Sequence, residues 1–234
     1  VTKGTYELGS VFKTFTYANA LNENLIAPET EFIDLPKSIK CDRYKIGEYD
    51  DDIPSNLTAE QILVRSGNIG SVRIAQKIGP EKFKSFLEKV GILSNIDFDI
   101  EEVAPQKNYE FGKCKLATAS YGHGIATTIL QLAKGYAILS NGGFEINPTL
   151  ISKDKSNYKR GKSLVKKEVS DQVVSALRKV VNTNEGTAKF ANVPNFEIGG
   201  KTGTADKVLN GEYSEGKVNT FASILPTSNP QYVF

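Results

Sequence analysis

The sequence predicts a mixed helix-and-strand domain of the α+β (α/β) class. Three observations predict it. Three short helical patterns follow one another between residues 58 and 91, two longer ones occupy 127–140 and 170–183, and three extended runs close the chain at 196–205, 219–225 and 231–234. With 234 residues, one domain or two closely packed subdomains is the natural size. The expected division is a helical subdomain over roughly 23–140 and a sheet-containing part made from 1–22 and roughly 141–234.

The elements follow in order. Val11, Phe12, Phe15, Ala18 and Leu21 recur at close to helical spacing, so 10–22 reads as a helix with Ser10 at its mouth. Residues 23–57, with Pro28, Pro36, Pro54 and the acidic run Asp50-Asp51-Asp52, read as irregular connection. Thr58 caps the next helix and Gln61 completes a capping box. That helix carries Ile62, Leu63 and Val64 and stops at Ser66-Gly67-Asn68. A second runs from Ile69 to Ile78 and ends at Gly79. A third starts with Pro80, a good first-turn residue, and carries Phe83, Phe86, Leu87 and Val90 to Gly91. Residues 92–126 read mostly as loop. The helix over 127–140 is stopped by Asn141-Gly142-Gly143, and 144–151 reads as extended. Val173, Val174, Leu177, Val180 and Val181 line one side of the helix over 170–183. Of the three closing strands, the last two are joined by a turn at Pro226–Pro230.

Composition excludes several classes. The chain is 39% hydrophobic and 24% charged, and its formal charge of +2 comes with no basic stripe interleaved with aromatics, which argues against nucleic acid as a partner. No apolar run approaches the ~18–20 residues of a membrane span. Cys41 and Cys114 have no metal-ligand spacing; a disulfide in an oxidising compartment and two separate thiols both fit. His123 is the only histidine, so any Ser-His-Asp triad would rest on it. The chain begins at Val1, contains no methionine and ends within what reads as a strand, so it is expected to be a piece of a longer protein.

The chemistry concentrates in three places. Ser10 and Lys13 are three apart on one helix and share a face. A serine hydroxyl needs an adjacent base to become a nucleophile, and a lysine serves only if burial or a second cation lowers its pKa. Ser-x-x-Lys recurs at Ser152/Lys155, Ser156/Lys159, Ser163/Lys166 and Ser214/Lys217, in polar stretches that read as solvated surface, so spacing alone does not single out Ser10. Ser66-Gly67-Asn68 sits at a helix junction, where both side chains can point into one cleft; a plain helix stop with Asn68 as cap reads equally well locally. Gly199-Gly200-Lys201-Thr202-Gly203-Thr204-Ala205 puts a lysine among small residues on a strand. There an extended peptide can add itself to the edge, Thr202 and Thr204 can bind a carboxylate, and Lys201 supplies positive field. A glycine hairpin is the plain alternative. A phosphate loop does not fit, because Asn195 stands five residues before Gly200.

Ser-x-x-Lys, Ser-x-Asn and Lys-Thr-Gly, in that order, form the signature of penicillin-binding proteins and class A β-lactamases. The surrounding residues are more specific. Tyr6-Glu7-Leu8-Gly9-Ser10 resembles the Tyr-Glu-Pro-Gly-Ser lead-in of penicillin-binding transpeptidases. Tyr121-Gly122-His123-Gly124-Ile125, Leu130-Gln131-Leu132-Ala133 and Tyr136-Ala137 resemble a further block of that family, as does Glu185-Gly186-Thr187-Ala188 ahead of Gly200–Ala205. The whole chain resembles the transpeptidase domain of a class B, monofunctional penicillin-binding protein, nearest the cell-division (septal) group. Leu8 stands where that family has proline, and Gly67 where the division group often has serine.

The resemblance implies the penicillin-binding protein/serine β-lactamase-like fold: an antiparallel sheet flanked by helices, plus a helical subdomain, here cut at both ends. It implies peptidoglycan D,D-transpeptidation. Ser10 would attack the D-Ala-D-Ala carbonyl, Lys13 take its proton, and Ser66 relay the proton to the departing amine, with Asn68 holding a substrate amide. The N–H groups of Ser10 and Thr204 would form an oxyanion hole, where one donor is worth roughly 3–4 kcal/mol. Lys201, Thr202, Gly203 and Thr204 would hold the terminal carboxylate, and His123 would be structural or lie on the rim. No metal or organic cofactor is implied. The implied partners are stem peptides ending in D-Ala-D-Ala, β-lactams and other cell-division membrane proteins, at the periplasmic face of the bacterial inner membrane. Within the same superfamily stand a serine β-lactamase, for which no Glu-x-x-Leu-Asn-type run occurs between Asn68 and Lys201, and a β-lactam sensor domain. A non-catalytic scaffold of the division machinery is the remaining alternative.

Overall fold

The computed structural model describes residues 2–42, 44–100, 109–152, 160–209 and 212–234. At its centre is helix α1, Lys13–Asn22, entered through a tighter 3-10 turn at Gly9–Phe12. The periodicity of 10–22 is therefore divided into two windings. Every side chain from Lys13 to Leu21 is buried, including Thr14, Thr16 and Asn19. A helix buried on all sides is not amphipathic, and this one is the post around which the others stand.

Helices α2 (Ala59–Val64), α3 (Asn68–Ile78) and α4 (Pro80–Lys89) form as their sequence signals require. Thr58 accepts from the Gln61 N–H while the Gln61 side chain accepts from the Thr58 N–H, the expected capping box. Thr128 and Gln131 repeat the device at α6 (Ile129–Ser140), after a shorter helix α5 (Lys113–Ala119). Helix α7 (Lys167–Asn182) starts three residues before the expected Ser170.

The main sheet is antiparallel, in the order β7 (Gly199–Leu209), β8 (Glu212–Leu225), β9 (Tyr232–Val233). The β7–β8 pair is longer than the expected runs. Their alternation fades beyond Ala205 because the distal hairpin is largely solvated on both faces. Helix α7 packs on β7 and α6 on β8 and β9, so the sheet is flanked by helices as expected. Among the described residues the main apolar core runs from Leu8 and Phe15 through Ile69 and Phe83 to Leu177 and Ile224, and a smaller cluster of Val64, Val180, Val181 and Ala188 lies beside α7.

Two stretches read as unstructured contain elements. Within 23–57, β3 (Ser38–Cys41) and β4 (Tyr44–Gly47) make a hairpin with Ile39 opposite Ile46, and β2 (Glu31–Phe32) pairs with β5 (Leu57–Thr58). Within 92–126, α5 forms around Leu116, Ala117 and Ala119; just after that stretch, where the helix over 127–140 was expected to begin, β6 (Thr127–Thr128) pairs with β1 (Thr5–Tyr6). These pieces are too short to carry a periodic signal and are held by tertiary contacts. The 144–151 stretch is not a strand; Phe144 makes one bridge to Ser163 and lies under Arg160, whose guanidinium carbon is 3.6 Å from the ring centre.

Cys41 and Cys114 form a disulfide with a sequence separation of 73, fastening the β3–β4 hairpin to α5. Closing a loop of that size is worth about 4.4 kcal/mol of chain entropy. Replacing both cysteines with serine is therefore expected to lower Tm by roughly 9–18 °C. Calorimetry checks this, and a shift under 2 °C would show that the bridge adds nothing.

Candidate active site

Three segments far apart in sequence meet at the start of α1. The 3-10 turn is fixed first. Gly9 has φ +61°, and a side chain on it would collide with the Thr204 backbone, so only glycine lets the turn lie against β7. Gly203 meets the same turn from the other side, where a Cβ would run into the carbonyl oxygen of Leu8. The Gly9 N–H donates to Gly122 O at 3.3 Å, tying in the Tyr121–Gly124 loop. The buried Tyr136 hydroxyl donates to Val11 O at 2.9 Å and takes the Thr14 hydroxyl at 2.9 Å, which pins the winding from below. Ser10, half-buried, is left at the mouth.

Lys13 lies one turn on, almost fully buried. Its Nζ is 2.9 Å from Ser10 Oγ, 3.0 Å from Ser66 Oγ and 2.7 Å from Asn68 Oδ1, and it also donates to the Ser66 carbonyl. Ser66 follows α2 with φ +62°, an uncommon backbone for a non-glycine residue. That left-handed turn stops the helix and swings both the carbonyl and the hydroxyl of Ser66 toward Lys13. Asn68 opens α3. Its Nδ2 donates to Gly47 O at 2.8 Å, which fixes the amide with Oδ1 facing Lys13.

The third segment is β7. Lys201 is wholly buried, and its Nζ donates to Ser66 Oγ at 2.9 Å and to Thr202 O at 3.0 Å. One hydroxyl thus bridges two amines. Burial holds Lys13 well below the ordinary lysine range, with the positive charge of Lys201 adding to the effect and the Glu48 carboxylate opposing it. Burial lowers Lys201 to about 7.

The donors and acceptors around Lys13 limit what the site can do. A neutral lysine amine has two N–H groups and one lone pair. Asn68 Oδ1 and the Ser66 carbonyl are acceptors only, so they take the two hydrogens. The lone pair is left for a hydroxyl proton, and Ser10 Oγ lies within reach. Such an arrangement can strip a proton from Ser10 and pass it to Ser66, whose own hydroxyl is held by a second amine.

Ser10, Lys13, Ser66, Asn68 and Lys201 therefore lie in one cluster. Thr202, Gly203 and Thr204 follow Lys201 along β7; the Thr202 carbonyl accepts from the Lys201 amine, while the Thr202 and Thr204 hydroxyls bond away from the cluster. Thr202 Oγ1 is 2.8 Å from Thr187 Oγ1, which joins the Glu185–Ala188 motif to the Lys201–Ala205 motif. Thr204 Oγ1 donates to Asn219 Oδ1 at 3.2 Å. His123 makes no hydrogen bond to Ser10 or Lys13 among the described residues; its Nδ1 is buried without a partner, and burial lowers its pKa. Sequence reasoning missed Gly47, Glu48 and Asn219, none of which lies in a motif or carries a local signal. Among the described residues no cluster of His, Cys, Asp or Glu could hold a metal, and no helix is long and apolar enough to cross a membrane.

Comparisons with known proteins agree with the geometry. The family described as the penicillin binding protein transpeptidase domain matches residues 1–234. The chain is 32% identical over 264 residues to a peptidoglycan D,D-transpeptidase FtsI homolog of Mesostigma viride, covering 97% of this chain and 44% of the relative. It is 30% identical over 234 residues to a probable peptidoglycan D,D-transpeptidase PenA of Neisseria flavescens, covering 97% and 56%. The chain thus spans about half the length of the curated relatives it matches. The transpeptidase domain of penicillin-binding protein 3 from Burkholderia pseudomallei superposes with a TM-score of 0.89 at 26% identity, covering 99% of this chain and 70% of that one.

Proposed function

The chain belongs to the penicillin-binding protein transpeptidase family, and from that premise we propose that it forms the catalytic part of a septal peptidoglycan D,D-transpeptidase acting through a serine acyl-enzyme. The observation that carries this reading is the single amine, Lys13 Nζ, placed 2.9 Å from Ser10 Oγ and 3.0 Å from Ser66 Oγ.

The steps follow from the donors and acceptors. A stem peptide lies along β7 with its terminal carboxylate toward Lys201, Thr202, Gly203 and Thr204. Neutral Lys13 takes the Ser10 proton as Oγ bonds to the carbonyl carbon of the penultimate D-alanine. The oxyanion is held by the N–H groups of Ser10 and Thr204. The intermediate collapses by breaking the C–N bond, and the proton travels from Lys13 through Ser66 Oγ to the departing D-alanine amine. An amine of a second stem then attacks the ester carbon, loses its proton by the reverse route and releases Ser10 with the crosslink formed. Asn68 holds Lys13 from one side and offers the donor substrate an amide contact. A β-lactam enters by the same attack, but its leaving nitrogen stays tethered, so the ester persists. The partners in this reading are stem peptides, β-lactams and, for the full-length protein, other division proteins at the periplasmic face of the inner membrane.

The test is a synthetic pentapeptide stem ending in D-Ala-D-Ala. Free D-alanine and a crosslinked dimer are expected when an amino acceptor is added. Release of D-alanine without any dimer would overturn transpeptidation, and rapid turnover of penicillin would favour a β-lactamase.

The two lysines also fix a pH profile. Acylation needs Lys13 neutral, so kcat/KM rises as pH passes upward through its lowered pKa. The carboxylate needs Lys201 charged, so kcat/KM falls as pH rises through about 7. The limbs belong to the pair, because the groups share one hydroxyl. A bell in kcat/KM is expected, with the alkaline limb of kcat displaced upward once bound carboxylate has stabilised the ammonium. A profile flat from pH 5 to 9 would sink this assignment.

A further inference from the structure

The residue that orients this site from outside it is Glu48, at the end of the β3–β4 hairpin. Helix α3 begins without a cap of its own, because its N-cap residue is Gly67. The carboxylate of Glu48 fills that place from twenty residues upstream in the chain. Its Oε2 accepts from the Asn68 N–H at 2.6 Å and its Oε1 from the Ile69 N–H at 2.9 Å. The carbonyl of its neighbour Gly47 accepts from Asn68 Nδ2 at 2.8 Å. Two adjacent residues of the hairpin thus hold Asn68 by main chain and side chain together. Asn68 in turn presents Oδ1 to Lys13 Nζ at 2.7 Å. The hairpin is itself held at two points, by the Cys41–Cys114 bridge at one strand and by this clasp on α3 at the other.

We propose that Glu48 is a positioning residue of the acylation step, setting both the placement of Asn68 and the charge state of Lys13. The assignment rests on the lysine-base reading given above. Two effects combine in it. Mechanically, the clasp fixes Asn68 so that it accepts a hydrogen from the Lys13 amine and leaves the lone pair for Ser10. Electrostatically, a carboxylate at the head of α3 offsets part of the positive end of the helix dipole and of the Lys201 charge, both of which act on Lys13. The ionisable groups acting on Lys13 are Lys201 from β7 and Glu48 from the hairpin, with His123 beyond them on the α5–β6 loop. Glu48 is the anion among those three. Without it the Lys13 ammonium is held less strongly, so Lys13 loses its proton at lower pH.

The test is Glu48→Gln beside Glu48→Asp. Glutamine keeps the size, removes the charge and leaves one acceptor for two N–H groups; aspartate keeps the charge with a shorter reach. Lys13 titration is read directly from the lysine 13Cε resonances, assigned with Lys13→Met, which needs no turnover. The rate is read from labelling by a fluorescent penicillin. In Glu48→Gln the Lys13 titration is expected to move down, because the one carboxylate holding its ammonium is gone, and labelling to slow about 10- to 100-fold, the scale of a small misplacement of reacting groups. Glu48→Asp is expected to keep the titration while slowing labelling. An unmoved Lys13 titration in Glu48→Gln would overturn the proposal whatever happens to Tm, since a plain helix cap lowers stability without touching that resonance. If Glu48→Gln does not fold, a Lys13 titration in Glu48→Asp displaced down as far as the missing carboxylate predicts would equally overturn it. A wild-type protein that never labels would instead strike at the acyl-enzyme reading, leaving the titration to decide on Glu48.

Discussion

Ser10→Ala is expected to abolish covalent labelling by fluorescent penicillin while the protein stays folded. Loss of signal should be complete, because the substitution removes the only atom that forms the ester. Ser10 Oγ is held by Lys13 Nζ at 2.9 Å, so the change deletes one hydrogen bond at a half-buried position. That is worth about 1 kcal/mol, or a few degrees in Tm for a chain of this size. Mass spectrometry of the unsubstituted protein should place the adduct on the peptide containing Ser10. An adduct on another serine, or undiminished labelling of Ser10→Ala, would refute the assignment of the nucleophile.

Lys13→Met is expected to slow acylation by about 100- to 10,000-fold, the usual scale for a positioned general base. Methionine keeps much of the length of the lysine stem and removes the amine. The stability change is expected to be small, because two effects oppose. Asn68 Oδ1 and the Ser66 carbonyl lose their donor, which costs about 1–3 kcal/mol for each group left unpaired. Against that, an amine that burial holds far from its ordinary protonation is no longer forced into the core. Stopped-flow labelling and a thermal melt read the two quantities separately. A rate within threefold of the unsubstituted protein would move the base role to another group.

The parts legible in sequence were those whose signals are local. Ser10 and Lys13 are one turn apart, so helical spacing alone predicts their contact. The capping box at Thr58/Gln61 was readable because its partners lie three residues apart, and it formed; the box at Thr128/Gln131 has the same spacing but went unread. Ser66 was legible as a helix stop, but not as the left-handed residue that turns its carbonyl inward. The β3–β4 hairpin was illegible because only Ile39, Cys41 and Ile46 mark its buried side, amid charged neighbours. Glu48 was illegible for the same reason, since it serves a helix that begins twenty residues later. Spacing left the pairing of Cys41 and Cys114 open, because a bridge is decided by where two distant elements dock. The convergence of Lys201 on Ser66 was inferred from family likeness and not from any pattern in the residues themselves.

The hydroxyl shared by Lys13 and Lys201 ties the first helix to a strand near the other end of the chain. Ribosomal synthesis is vectorial, so Ser10 emerges long before the residues that complete its surroundings. Early helices can gather around α1, but the nascent product stays chemically silent until β7 has docked. Such long-range closure is slow compared with helix formation. Penicillin reactivity should therefore lag the far-ultraviolet dichroism signal during refolding. The antibiotic would then serve as a clock for the last step of assembly.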